Sequence, residues 1–290
     1  MSSSGNIRIG ISGWNYGGWR GSFYPHGLRQ ADELSFASRQ VDTIEINGTH
    51  YSLQRPDSFA RWRDETPDGF VFAVKGSRFI THLKQLHDIE TPLANFFASG
   101  VLRLEEKLGP FLWQFSPRFA FDAQRLDHFL SILPRGTEMA AALARGHDHR
   151  LAGRAWTRSE RNRDLRHAIE IRHPSFLDPA FVALLRRHGV ALVFADSVAW
   201  PYAEDVTADF VYLRLQKGKD TITTGYPPKE LDAWAKRLET FASGGVPKDL
   251  DQVDPKNAAH PAPRDVFAYV IHEGKVRAPT AAMELIGRIS

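Results

Sequence analysis

The chain has no cysteine among its 290 residues, which removes disulfides, thiolate nucleophiles and cysteine-ligated zinc or iron–sulfur centres together. No uninterrupted apolar run approaches the ~18 residues that a membrane helix needs. The opening Met-Ser-Ser-Ser-Gly-Asn carries no basic segment followed by an apolar stretch, so the expectation is a cytoplasmic protein with no membrane partner. No strand-like segment is followed by Gly-x-Gly-x-x-Gly. Gly13 and Gly18 have the offset of a phosphate loop, yet Trp19 stands where such a loop needs lysine, which argues against a Walker-type site.

What is present suits a globular core. Hydrophobic residues make up 42% and charged residues 24% of the chain, far from the composition of a disordered segment. The formal charge of +3 is local: seven arginines (145, 150, 154, 158, 161, 163 and 166) face only Asp148, Glu160 and Asp164 between Leu143 and His167. A net of +4 in that stretch leaves the remainder close to neutral. The patch reads first as a solvated insertion and second as a surface for nucleic acid or phosphate.

Eight strand-like segments recur: Ile7–Ser12, Val41–Asn47, Phe70–Lys75, Phe111–Phe115, His167–Arg172, Val190–Asp196, Phe210–Gln216 and Val266–His272. Helix-like stretches separate most of them, at Leu28–Arg39, Ser58–Glu65, Pro92–Leu108, Arg125–Leu133, Pro179–His188, Lys229–Ala242 and Thr280–Ile289. Such alternation predicts a parallel sheet, and eight repeats predict one (β/α)₈ barrel over residues 1–290. A basic insertion around 135–166 and a loop insertion around 244–263 interrupt the pattern. The sixth link, around Ala199–Asp205, is too short for a full helix, which keeps an open doubly wound sheet as the alternative.

Odd and even strand positions sort by polarity, because neighbouring strand residues face opposite sides of a sheet. Ile44 and Ile46 oppose Thr43, Glu45 and Asn47; Ile169 and Ile171 oppose Ala168, Glu170 and Arg172. Phe72 and Val74 oppose Ala73 and Lys75, Leu213 and Leu215 oppose Tyr212, Arg214 and Gln216, and Tyr269 and Ile271 oppose Val270 and His272. Polar residues gather at the C-terminal strand ends, where barrel enzymes place their active sites.

With those segments in hand, the chain resembles the YecE-like family, the domain of unknown function 72. The resemblance rests on Ile9-Gly-Ile-Ser-Gly-Trp14, Trp19, Tyr24-Pro25, Glu45-Ile-Asn47, His50-Tyr51, Phe72-Ala-Val-Lys75 and Thr81-His82. It continues through Gln114, Pro117, Glu170-Ile-Arg172-His-Pro-Ser175-Phe176, Ala195-Asp196 and Tyr212-Leu-Arg214. It implies an eight-stranded (β/α) barrel and no assigned reaction. Two places depart from it: Arg214-Leu-Gln216-Lys217, where many members read Arg-Leu-His-Gly, and the ending Ile271-His272-Glu273-Gly274.

The candidate chemistry follows from these positions. Glu45, Glu170 and Asp196 are expected at one opening as general acid and base, and His82 as a proton shuttle. Arg172, Arg214 and Lys75 would present cations to an anionic or phosphorylated ligand. Asn47 and Gln114 would orient it, Trp14 would offer an aromatic face, and Tyr226 and His272 would add polar contacts. No metal or cofactor is expected, since no clustered ligand spacing is visible. The alternative is a divalent cation held by the carboxylates with His82 or His272. The reading is a hydrolase or isomerase for a small anion. Its alternatives are a non-catalytic binder of nucleic acid or a phosphometabolite, and a metal-dependent phosphodiesterase. Oligomeric state stays open.

Overall fold

A computed structural model describes residues 4–271 and 276–289, so the expectation for His272 lies outside the described residues. Eight strands run β1 (Ile7–Ser12), β2 (Thr43–Ile46), β3 (Val71–Lys75), β4 (Leu108–Gln114), β5 (His167–Glu170), β6 (Ala191–Asp196), β7 (Phe210–Leu215) and β8 (Asp265–Val270). They close a parallel barrel in sequence order. The open-sheet alternative is thereby set aside.

Among the described residues the helices are α1 (Glu33–Ala37), α2 (Gly48–Tyr51), α3 (Pro56–Glu65), α4 (Glu90–Ala98), α5 (Ala123–Ile132), α6 (Thr137–Ala144), α7 (Pro179–His188), α8 (Pro228–Ala242) and α9 (Ala278–Ile286). Local chemistry sets several ends. Asp178 caps α7 through the Ala180 N–H, Pro179 opens the helix, and Gly189 closes it in the left-handed region at φ 58°. The long first link shrinks to a short 3-10 turn and the five-residue α1.

The chain divides into two compact units, Met1–Glu45 with Leu177–Ser290, and Ile46–Phe176. In the second unit the sorting by parity is visible as packing. Phe111 and Trp113 of β4 meet Phe96 and Phe97 of α4 and Phe129 of α5, while Gln114 turns to Glu170. Gly76, just after β3, lets Trp113 approach so closely that an added Cβ would sit 2.2 Å from its ring. Gly76→Ala is therefore expected to cost about 1–3 kcal/mol through overpacking of a fully buried indole, read as a lower urea midpoint at unchanged m-value. The basic insertion begins with α6 and is pinned by Thr137, whose Oγ1 donates to the Arg161 carbonyl at 2.8 Å and accepts from Arg163 N–H at 3.0 Å.

In the first unit, Phe194 of β6 packs on Phe241 of α8. The eighth strand corrects the parity reading. Tyr269, grouped by composition with the outward apolar set, sits with its ring 5.0 Å from Tyr212 and its hydroxyl 3.0 Å from Thr43 Oγ1. It therefore shares the side of Thr43, Glu45 and Tyr212. Tyrosine is amphipathic, and a buried hydroxyl with a partner is tolerated inside where pattern alone counts the ring as apolar.

The short sixth link carries no helix. Glu204 and Asp205, 3% and 0% exposed, serve it as internal acceptors. Glu204 receives Tyr202 OH at 2.6 Å, Arg237 at 2.8 Å and Asp251 N–H at 3.0 Å. Asp205 receives the Val253 and Asp254 amides at 2.8 and 3.0 Å. The 244–263 insertion is thus fastened onto the link, covering backbone that a crossover helix would otherwise cover.

Candidate functional site

In the first unit the centre of polarity is Glu45, at 0% exposure. Its Oε1 accepts from Ser12 Oγ at 2.9 Å and from Arg214 Nη2 at 3.0 Å, and its Oε2 accepts from Tyr212 OH at 2.7 Å. Burial first, and the Glu45 charge second, push the Tyr212 hydroxyl well above its usual range, so it stays a donor. Asp196 does not join this group. The β6–β7 register pairs Ala195 with Arg214 and Asp196 with Leu215, so Asp196 leaves the sheet on the side opposite Arg214. Its carboxylate meets Lys217 at 2.5 Å.

Tyr226 is fully buried, with the Lys217 and Gly218 amides beside its hydroxyl. Trp14 is half-buried, with its carbonyl accepting from Tyr24 OH at 2.6 Å. Trp19 is core, with Tyr16, Phe23 and Tyr24 around its ring.

In the second unit, β5 ends on Glu170, also at 0% exposure. Three N–H groups converge on its Oε1: Gln114 Nε2 at 2.9 Å, Arg172 Nε at 3.0 Å and Arg172 Nη2 at 2.9 Å. Gln114, Glu170 and Arg172, expected separately as ligand-orienting amide, acid–base carboxylate and anion-binding cation, thus form one hydrogen-bonded group. Beyond β3 the backbone winds into a π-helical turn, Phe79–Leu83, that carries Thr81 and His82. Gln85, Leu86 and Asp88 follow with φ of 46°, 66° and 45°. A π turn followed by three left-handed non-glycine residues is costly backbone of the kind that clusters at functional sites.

His82 accepts from or donates to Thr81 Oγ1 at 2.9 Å, and its ring lies edge-on to His50 at 5.2 Å. Burial is the main cause that lowers the His82 pKa to about 4, followed by the charges of Lys75, Arg172 and Arg78, with Glu170 opposing. His50 is lowered to about 3 by burial and by Lys75, against its bond to the Gly76 carbonyl at 2.8 Å. Both rings are thus neutral at pH 7. The His50 Nδ1 carries its proton toward Gly76, which leaves its Nε2 as an acceptor.

Asn47 is half-buried just ahead of α2, and Lys75 is 7% exposed at the end of β3. Sequence reasoning named His82, Lys75 and Arg172 but gave no role to His50 or Arg78. His50 lies in the short α2 just after β2, and Arg78 caps the π-helical turn after β3, the same position just beyond a strand that nominated His82. Among the described residues no group of three or more His, Asp or Glu side chains comes together as metal ligands. No described helix is long and apolar enough to cross a membrane.

The family profile DUF72, described as a protein of unknown function, matches residues 8–290. The chain belongs to this family. A curated relative of this DUF72 protein, the UPF0759 protein YecE of Escherichia coli K12, is 25% identical over 213 residues, covering 69% of this chain and 64% of YecE. The match thus spans slightly less than two thirds of that relative's length. Among solved structures, a DUF72 family protein from Thermotoga maritima superposes with a TM-score of 0.63 at 21% identity, covering 97% of each chain. One from Enterococcus faecalis gives 0.64 at 15% identity, covering 98% of this chain and 95% of the other. These likenesses concern the fold.

Proposed function

We propose that this DUF72 protein is an acid–base enzyme of hydrolase or isomerase type for a small phosphorylated or carboxylated substrate, bound at the His82 cluster of the second unit. One observation carries this reading: at His82 the positive charges of Lys75, Arg172 and Arg78 outweigh the negative charge of Glu170. Such a field favours an anion and disfavours a second proton on the ring. A ligand phosphate or carboxylate would reverse the field, raise the affinity of His82 for a proton and turn it from acceptor to donor. Glu170, aimed by Gln114 and Arg172, would handle the proton on the substrate side.

The test is a pH titration of the His82 ring proton by NMR, with and without inorganic phosphate. A unit charge at ~4 Å in an effective dielectric of ~20 is worth ~4 kcal/mol, so phosphate is expected to raise the midpoint from about 4 by at least about one unit, each unit being 1.36 kcal/mol. Arg172→Met should abolish that response, whereas Glu170→Gln should keep it and strengthen phosphate binding. A midpoint indifferent to phosphate would end the proposal.

A further inference from the structure

The richest unassigned feature is a hollow of about 660 Å³ in the first unit, beyond the C-terminal ends of β6, β7 and β8. Its walls are largely apolar: Trp200, Ile222, Pro227 and Ile271 line it, with Val198 at 92% exposure among them. The size lies within the ~300–1,000 Å³ typical of small-molecule sites.

Apart from Ser197 and Glu230, its polar side chains stand on one segment. Gln216 follows β7, its N–H is tied to the Asp196 carbonyl at 2.9 Å, and it lines the hollow. Its side-chain Nε2 is buried and has no hydrogen-bond partner. Lys217 and Lys219 line the same hollow, Lys217 steadied by Asp196. An amide N–H shut away from water without an acceptor is an unmet cost, which a ligand oxygen in the hollow would relieve once the side chain turns its Nε2 outward.

The segment is built in advance rather than loose. Lys219 N–H reaches the Gly225 carbonyl at 2.7 Å, Gly225 N–H the Ile222 carbonyl at 2.8 Å, and Thr224 Oγ1 the Tyr226 carbonyl at 2.6 Å. Gly225 has φ 73°, and a Cβ there would lie 2.9 Å from Ala281, so both backbone and space require glycine. A loop closed this way spends little ordering entropy on a ligand.

We infer that this hollow is a binding site for a planar organic monoanion, its flat apolar body against Trp200, Ile222 and Ile271 and its carboxylate oxygens on Gln216 Nε2 and the Lys217 and Lys219 ammonium groups. Glu230, exposed on the rim, disfavours a second negative charge. The site does not depend on the His82 cluster, and the two are read by different signals.

The probes are benzoate, its neutral isostere benzamide, and acetate, each titrated into the full-length protein while the Gln216 side-chain amide is followed by NMR. Benzoate is expected to shift that amide saturably with a Kd of about 1 mM, the range for a ligand of so few atoms, and to bind about tenfold more tightly than either control. Gln216→Leu should weaken benzoate about tenfold. Lys219→Ala, at an exposed position, should weaken it severalfold without altering the fold, and Lys256→Ala in the 244–263 insertion should leave it unchanged. Equal binding of acetate would reduce the site to surface lysine attraction, and equal binding of benzamide would remove the anion. An unmoved Gln216 amide would remove the site. Any of these results overturns the proposal.

Discussion

Glu45→Ala is expected to lower the unfolding free energy by about 3–5 kcal/mol, the cost of removing one partner from a buried ion pair. The Glu45 carboxylate is at 0% exposure and receives Ser12, Tyr212 and Arg214 together. Arg214 is itself only 3% exposed, so the alanine takes the Glu45 carboxylate away from a guanidinium in the barrel interior, and leaves a buried phenol without its acceptor. Glu45→Leu with Arg214→Met should recover most of the loss, because a buried pair replaced by apolar groups of similar size is often neutral or better. Urea unfolding of the two variants beside the parent measures both. A loss below about 1 kcal/mol, the value of an exposed pair, would show that the carboxylate is not holding the strands and would return it to the candidates for chemistry. The proposed function makes no use of Glu45.

That outcome bears on how the sequence is read. Alternation in β2, β3, β5 and β7 made the inward set legible because the opposing residues are isoleucine, leucine, phenylalanine and valine, which cannot face a polar interior cheaply. It misdirected in β8, where the residue that decides the side is a tyrosine. Asp196 looked like a third interior carboxylate because it ends β6 as Glu170 ends β5. Parity already separates them: Asp196 shares its side with Phe194, and only the register with Leu215 makes the consequence visible. His82 was legible from its place after a strand. The π turn that holds it was not, since no residue type demands that backbone. Nor could pattern show that the 244–263 insertion answers the missing sixth helix, because the link between them runs through the carboxylates of Glu204 and Asp205, residues that composition assigns to the surface.

The second large effect is expected at His167, far from any proposed chemistry in role. The ring is fully buried between two fixed partners: it accepts the Trp113 indole N–H on Nδ1 at 3.1 Å, and Nε2 donates to the Pro134 carbonyl at 2.8 Å. That arrangement needs the neutral ring. Burial, with the Arg135 charge adding to it, holds the pKa at about 3 against the ordinary 6.5. Between those values the unfolded chain binds the proton and the folded chain does not, so the contribution to stability is whole above pH 6.5 and is lost as pH falls toward 3. At 1.36 kcal/mol per unit, about 2 kcal/mol should be gone by pH 5. His167→Leu should cost about 2–5 kcal/mol at pH 7, since it strands the Trp113 donor and the Pro134 acceptor in the core. It also removes the proton linkage. The gap between parent and variant is therefore expected to narrow by about 2 kcal/mol from pH 7 to pH 5, measured by urea unfolding at both values. Parallel stability curves over that interval would mean that His167 already carries its proton in the folded protein, and that the ring is held by a different pair of bonds.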